Sequence, residues 1–273
     1  MATQIQTFLI DAFTSQPFKG NPAGVCLLDS PLEPPLMQAI AAELNASETA
    51  FLVADVSHSH TYSIRYFTPT VEIGFCGHAT VAAAKLVLEK RKWPHVQFRT
   101  AHGLVLQAAP HESAVLLQFP LYLPKPYGPA PALWEALGLP AQPQVFLAEE
   151  LHMLLLEVPS LEDLLLLRPD FTKLRQAVEG VKGLAVTTQT PDTPFDFQSR
   201  CFWPWVGIDE DPVTGSAHSA LASYWSQRLQ KKELKAYQCS RRGGSMELRI
   251  TRDSTLEVKA FATIVLEGTL HLA

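Results

Sequence analysis

The chain lacks a C-x-x-C pair. Its four cysteines, Cys26, Cys76, Cys201 and Cys239, lie far apart along 273 residues, a spacing that suits neither a zinc site nor a disulfide framework. No apolar run approaches the roughly 18 residues of a membrane span. The N-terminus, MATQIQTFLIDAF, has neither the positive n-region nor the sustained apolar h-region of a signal peptide. A cytoplasmic protein with no membrane partner is therefore expected. Positive charge is also scarce. With a net charge of -5 and a pI near 6.0 there is no electrostatic footprint for nucleic acid, and the short clusters Lys231-Lys232 and Arg241-Arg242 read as solvated surface. No glycine-rich nucleotide fingerprint or metal-ligand cluster is present, so neither NAD nor a metal is expected.

What is present is an ordinary globular composition, 47% hydrophobic and 18% charged, on a chain long enough for a large core. The stretch that organises it is Glu72 to Leu88, EIGFCGHATVAAAKLVL. A polar knot of Cys76, Gly77 and His78 opens there into an apolar helix, expected over Ala79 to Leu88. Such a helix, apolar on nearly all sides, suits burial within the fold. Its N-terminus carries unpaired N–H groups and partial positive charge, and Gly77 allows an anionic ligand to approach the backbone.

The pattern recurs. Arg65-Tyr66-Phe67-Thr68-Pro69 is echoed 135 residues later (65 to 200) by Arg200-Cys201-Phe202-Trp203-Pro204. Gly77-His78-Ala79 is echoed 138 residues later (77 to 215) by Gly215-Ser216-Ala217, again leading into a small, apolar helix, Ala217 to Leu229. Two landmarks in the same order imply a duplicated half-molecule. The three-residue difference is expected in the acidic loop Asp209-Glu210-Asp211.

Read in order, the first half opens with a strand, Thr7 to Phe13, a tight loop at Gly20 to Gly24 and a second strand, Val25 to Leu28. Pro34-Pro35 starts a helix with apolar residues at three- and four-residue steps and a stop at Asn45. Ala46-Ser47-Glu48 then forms a corner before the strand Thr49 to Val53, with Glu48 among apolar neighbours. Five prolines between Pro120 and Pro131 mark a connector. The domain reading is an N-terminal lobe over 1–119, completed by a C-terminal strand at 263–273, a Pro-rich linker over 120–131, and a C-terminal lobe over 132–262. In the second half, Ser160 is expected to cap the helix carrying Leu164 to Leu167, with Asp163 three residues on.

GNPAGV near the start, N-A-S-E-T-A-F at Asn45 to Phe51, F-T-P-x-x-E-x-x-x-C-G-H-A-T at Phe67 to Thr80 and E-D-P-V-T-G-S-A at Glu210 to Ala217 together resemble the PhzF family of phenazine-biosynthesis-like proteins, with wording closest to its animal members. The resemblance covers effectively the whole chain. It implies an α+β, diaminopimelate epimerase-like fold of two pseudo-symmetric lobes, each a curved, barrel-like sheet around a central helix, with the active site in the cleft between helix N-termini. It further implies a homodimer.

In the epimerase relatives two cysteines face each other across the substrate. Cys76, before Gly77, holds the first such place, but Thr214, before Gly215, holds the second. A hydroxyl is too weak an acid or base at neutral pH to replace a thiol. The resemblance instead implies one carboxylate, Glu48, shifting a proton on a small anionic metabolite, best served by a pKa raised toward neutrality. It also implies that His78, Asp211 and Ser216 hold the substrate's polar groups. The amides of Gly77 and Gly215 are placed to receive its charge, while Asn21 and Cys76 are candidate contacts. Other readings stay open. His78 could cap the helix, Asp211 could form an Asx-type turn, and Glu72 could support the His78 loop or act as a second carboxylate. Cys76 and His78, two apart across a glycine, are not expected to orient each other. The whole could also be a non-catalytic, protein-binding descendant, or an epimerase that depends on Cys76.

Overall fold

The structure is a computed structural model that describes residues 3–128, 131–139, 142–252 and 254–272. It divides into two compact units, Met1–Gln118 with Val258–Ala273, and Phe119–Glu257. Among the described residues no helix is long and apolar enough to cross a membrane.

In chain order the first unit contains β1 (Thr3–Ala12), β2 (Asn21–Leu28), α1 (Pro34–Leu44), β3 (Glu48–Ala54), β4 (Thr61–Phe67), β5 (Glu72–Ile73), α2 (Gly77–Arg91), β6 (Val96–Thr100), β7 (Val105–His111) and β8 (Ala114–Pro120). The second contains β9 (Lys125–Pro126), α3 (Pro131–Leu137), β10 (Val145–Ala148), β11 (Met153–Glu157), α4 (Leu161–Leu166), α5 (Phe171–Ala177), β12 (Gly183–Gln189), β13 (Phe197–Phe202), α6 (Gly215–Leu229), β14 (Glu233–Gln238) and β15 (Gly244–Arg252). β16 (Thr255–Ala260) then returns the chain to the first unit, where β17 (Ala262–Leu272) runs antiparallel to β1 along its whole length.

The first sheet alternates its senses. β1 and β2 are antiparallel, β2 and β3 parallel, β3 and β4 antiparallel, β4 and β6 parallel, β6 and β7 antiparallel. Each parallel step needs a crossover, and the second of them is α2. Every residue of α2 from Gly77 to Ala84, and Leu86 to Leu88, is buried. Its leucines and valines each contribute about 1.5–3 kcal/mol by leaving water. The helix ends where Lys92 turns left-handed (φ 55), with Lys90 and Arg91 in the last turn, favourable for the negative end of the dipole. Outside the sheet, α1 starts on Pro34 and stops at left-handed Asn45 (φ 49), laying Met37, Ile40 and Ala41 against Ile5, Cys26, Phe51 and Phe67.

The opening loop closes earlier than expected. Asn21 to Gly24 already lie in β2, and the turn is Phe13 to Gly20, where Phe13 (φ 64), Phe18 (φ 67) and Gly20 (φ 64) reverse the chain. Gly20 has no substitute there, because a Cβ would stand 2.0 Å from the Ala12 carbonyl oxygen. The Phe18 amide donates to buried Asp11 at 2.6 Å and fastens the loop.

The second unit repeats the plan. β11 and β12 are parallel, β12 and β13 antiparallel, β13 and β14 parallel, β14 and β15 antiparallel, with α6 as the crossover from β13 to β14. The register repeats too. Thr49 pairs Phe67 as Leu184 pairs Phe202, and Ile64 pairs Thr100 as Ser199 pairs Gln238. Ser160 caps α4 by accepting the Asp163 amide, as expected. The proline segment is not bare connector: β9 pairs with β10, and the amides of Leu121 and Tyr122 donate to Ser254 and Ser219 carbonyls. Pro129, counted in that segment, lies outside the described residues.

Inside this second sheet α6 buries Trp225, whose indole N–H donates to Thr187 Oγ1 at 3.0 Å while its ring stacks on Phe197. His218 is fully buried one turn into α6, its Nδ1 2.8 Å from the Thr214 carbonyl. Burial pushes its pKa down to about 4, against that backbone hydrogen bond. The folded state therefore takes up the His218 proton later than the unfolded chain, whose imidazole titrates near 6.5. Its contribution is whole above pH 6.5 and is lost as pH falls toward 4. The expected loss is on the order of 3 kcal/mol, read as the pH slope of urea-unfolding stability, which should flatten in His218→Gln. An equal slope in both proteins would assign the acid sensitivity elsewhere.

Candidate active site

Glu48 begins β3, beside Ala23 of β2 in the parallel ladder. Cys76 is the N-cap of α2, extended at φ -142, and Gly77 and His78 are the first two residues of the helix. This brings three side chains together. His78 Nε2 stands 3.0 Å from Glu48 Oε2, and His78 Nδ1 stands 3.4 Å from Cys76 Sγ. All three residues are at most 9% exposed. The 3.0 Å approach is an ion-pair contact, and beyond it Oε2 of Glu48 has no hydrogen-bond partner among the described residues.

Three expectations are corrected here. Cys76 and His78 do meet, because the extended N-cap backbone lets the Cys76 side chain face the second helical residue. His78, the second residue of the helix, turns its ring to Glu48 and Cys76. The carboxyl of Glu48 is not raised. Burial pushes it up, but the charge of His78 and polar contact with His78 and Cys76 more than offset this, holding it below the usual carboxylate range. Against the pull of burial, Cys76 and Glu48 lift the His78 imidazole well above its ordinary value. Burial and the Glu48 charge raise the Cys76 thiol, which stays protonated. A buried, protonated thiol is a poor nucleophile, so the contact does not make a thiol hydrolase. Finally, the three donor atoms lie within 4.8 Å of one another and form a possible metal-ligand set. The sequence hides it because Glu48 lies 28 residues before Cys76.

Two further parts support this knot. Tyr66, fully buried, shares a 2.6 Å hydrogen bond with Thr80 Oγ1, which in turn donates to the Cys76 carbonyl at 2.6 Å. Neither residue stood out in the sequence, although Tyr66 sits between the two residues of the repeated Arg-x-Phe pattern. Glu72 is claimed by Arg65 through two bonds of 2.7 Å, so it braces the loop before α2 and is not a second free carboxylate. Asn21 is fully buried at the start of β2.

The corresponding place in the second unit has a different filling. Thr214 caps α6, Gly215 is the first residue, and Ser216 is half-buried. Asp211 accepts a very short hydrogen bond from the Thr214 hydroxyl, and its amide donates to the Cys201 carbonyl at 3.0 Å. Buried Gln238, missed in the sequence, ties this loop together. Its Oε1 accepts the Thr214 amide at 2.8 Å, and its Nε2 donates to the Asp211 carbonyl at 2.8 Å and to Thr214 Oγ1 at 3.3 Å. Arg200 clamps Glu210 at 2.8 and 2.9 Å and lies over the Phe202 ring, as Arg65 clamps Glu72 and lies over Phe67. Because Glu210 thus answers to Glu72 at an offset of 138, the inserted residues fall before it, between Phe202 and Glu210, around the 3-10 turn Pro204–Val206. The register places Gly183 where the first unit has Glu48. A Cβ there would meet the Trp203 ring at 2.7 Å, so this half has no room for a carboxylate.

A repeated α+β half, each with a buried helix opening onto polar residues, defines the diaminopimelate epimerase-like class. A solved hydroxyproline epimerase from Agrobacterium vitis shares the fold alone, at 12% identity and a TM-score of 0.61 over 98% of this chain and 93% of that one. Within that class the chain belongs to the phenazine biosynthesis-like (PhzC-PhzF) family, whose model matches residues 10–268. Phenazine biosynthesis-like domain-containing protein 1 of Mus musculus is 40% identical over 98% of this chain and 99% of its own. An uncharacterized isomerase of Pseudomonas aeruginosa is 40% identical over 98% of this chain and 100% of its own. A crystal structure of a PhzF-family protein from Enterococcus faecalis has a TM-score of 0.90 at 34% identity, covering 99% of this chain and 100% of that one.

Proposed function

We propose that the protein is a cofactor-independent isomerase that moves a proton on a small anionic metabolite, with Glu48 as both base and acid. The observation that carries this reading is the buried Glu48–His78 contact of 3.0 Å at the N-terminus of α2. A carboxyl held below its usual range is ionised at neutral pH and ready to abstract a proton. The same low pKa makes it a modest base, so the barrier falls furthest if substrate binding lifts it. An anionic substrate received by the Gly77 amide and the helix N-terminus would do this, by countering the charge of His78. Return of the proton from the same carboxyl completes the shift. In this reading His78, Gly77, Cys76 and Asn21 of the first unit hold the substrate's polar groups. The Pseudomonas aeruginosa relative is named an uncharacterized isomerase, which supports the reaction class.

Thr214 at the second N-cap and Gly183 in the place answering to Glu48 favour one working group over a pair of thiols. The test is proton NMR in deuterium oxide, following a panel of small unsaturated and hydroxylated acids for loss of a C–H signal. Exchange is expected with the native protein and with Cys76→Ser, and not with Glu48→Gln. Exchange that vanishes in Cys76→Ser and persists in Glu48→Gln would establish the Cys76-dependent epimerase instead. No exchange or turnover with any acid would favour a protein-binding descendant.

A further inference from the structure

We propose that Glu48, Cys76 and His78 also form a binding site for a soft divalent cation, zinc by chemistry. The edge lengths of the knot support it. A tetrahedral zinc with bonds of about 2.0 Å to nitrogen and oxygen and 2.3 Å to sulfur sets its donors roughly 3.3 Å apart for N and O and roughly 3.5 Å for N and S. His78 Nε2 stands 3.0 Å from Glu48 Oε2 and 3.8 Å from Cys76 Sγ, bracketing both values. The third edge, from oxygen to sulfur, is within 4.8 Å.

A second observation points the same way. Oε2 of Glu48 is buried and, beyond its 3.0 Å contact with His78, has no hydrogen-bond partner among the described residues, and a carboxylate oxygen in a dry place is costly unless a donor or a cation meets it. Without the metal the Cys76 sulfur lies nearer His78 Nδ1, at 3.4 Å, than Nε2, so a rotation of the Cys76 side chain toward the Nε2 side brings the thiolate onto the ion. The donor set of one thiolate, one imidazole and one carboxylate selects zinc over magnesium or calcium, which take oxygen ligands. Three protein ligands leave a fourth position for water or an anion. Binding forms three metal–ligand bonds and sends the thiol proton and the imidazolium proton to solvent. A bound zinc occupies the Glu48 lone pair, so on the isomerase reading it also inhibits turnover.

Cobalt(II) is the probe for the test, added to the chelator-treated full chain. The expected result is a near-ultraviolet thiolate-to-cobalt charge-transfer band that saturates at one equivalent and is bleached by zinc. Cys76→Ser should abolish the band, and Glu48→Gln and His78→Gln should each weaken zinc binding by about tenfold or more. Cys239→Ser, which alters a half-buried thiol in the second unit, should leave band and affinity unchanged. Absence of the band in the native protein overturns the proposal, as does a band that survives Cys76→Ser. If Cys76→Ser does not fold, unchanged zinc affinity in Glu48→Gln overturns it instead. The readout needs no substrate, so its outcome is independent of whether the isomerase reading holds.

Discussion

Glu48→Gln is expected to lower turnover by roughly 10²- to 10⁴-fold, the span by which positioned acid–base groups speed proton transfer. Glutamine keeps the shape of the side chain and its place at the start of β3, where the backbone ladder to β2 is unaffected. What is lost is the negative charge, and with it the ability to take a proton. His78 then has no anionic partner at 3.0 Å, and burial disfavours its imidazolium, so the ring should become neutral and the pair should stay folded. Glu48→Asp separates the causes further. It retains a carboxylate but draws it back by one methylene, so turnover should lie between the native and Gln values. The measurement is kcat with any acid that exchanges in deuterium oxide. Turnover undiminished in Glu48→Gln would remove this carboxyl from the mechanism.

The second large effect concerns stability and comes from one motif placed in two environments. Arg200 is buried at 10% side-chain exposure, holds Glu210 with two bonds, and gives two more to the carbonyls of Leu164 and Leu167. In Arg200→Met the carboxylate and both carbonyls lose their partner, and breaking such a buried pair costs about 3–5 kcal/mol. Arg65 makes the same two-pronged bond to Glu72, but at 29% and 32% side-chain exposure water takes over most of what is lost. Arg65→Met should therefore cost about 1 kcal/mol or less. Urea unfolding of the two variants against the native protein makes the comparison. Equal losses would mean that burial does not set the worth of these clamps.

The duplication was legible because its landmarks are chemical: an arginine, an aromatic and a helix-opening glycine recur at nearly constant offsets, and strand registers repeat with them. Helix ends with strong local signals, Pro34, Asn45 and Ser160, fell where residue chemistry put them. Boundaries set by tertiary pairing were harder to read. Asn21 to Gly24 look like a turn in isolation, yet they are held as strand between β1 and β3. The candidate site was readable as a list of residues and not as an electrostatic arrangement. Apolar neighbours around Glu48 suggested a raised pKa, and only the position of His78 reverses the direction. Gln238 and Tyr66 act through hydrogen bonds to groups far away in sequence, for which spacing carries no signal.

The long pairing of β1 with β17 has a consequence for synthesis. The first unit leaves the ribosome ahead of the second, yet its edge strand stays uncovered until residues 262–272 have been translated. The contiguous second unit can close while the first still waits, so a strand made after the second unit completes the first. Any event that delays or removes β17 leaves an open strand edge, the kind of surface on which nascent chains aggregate.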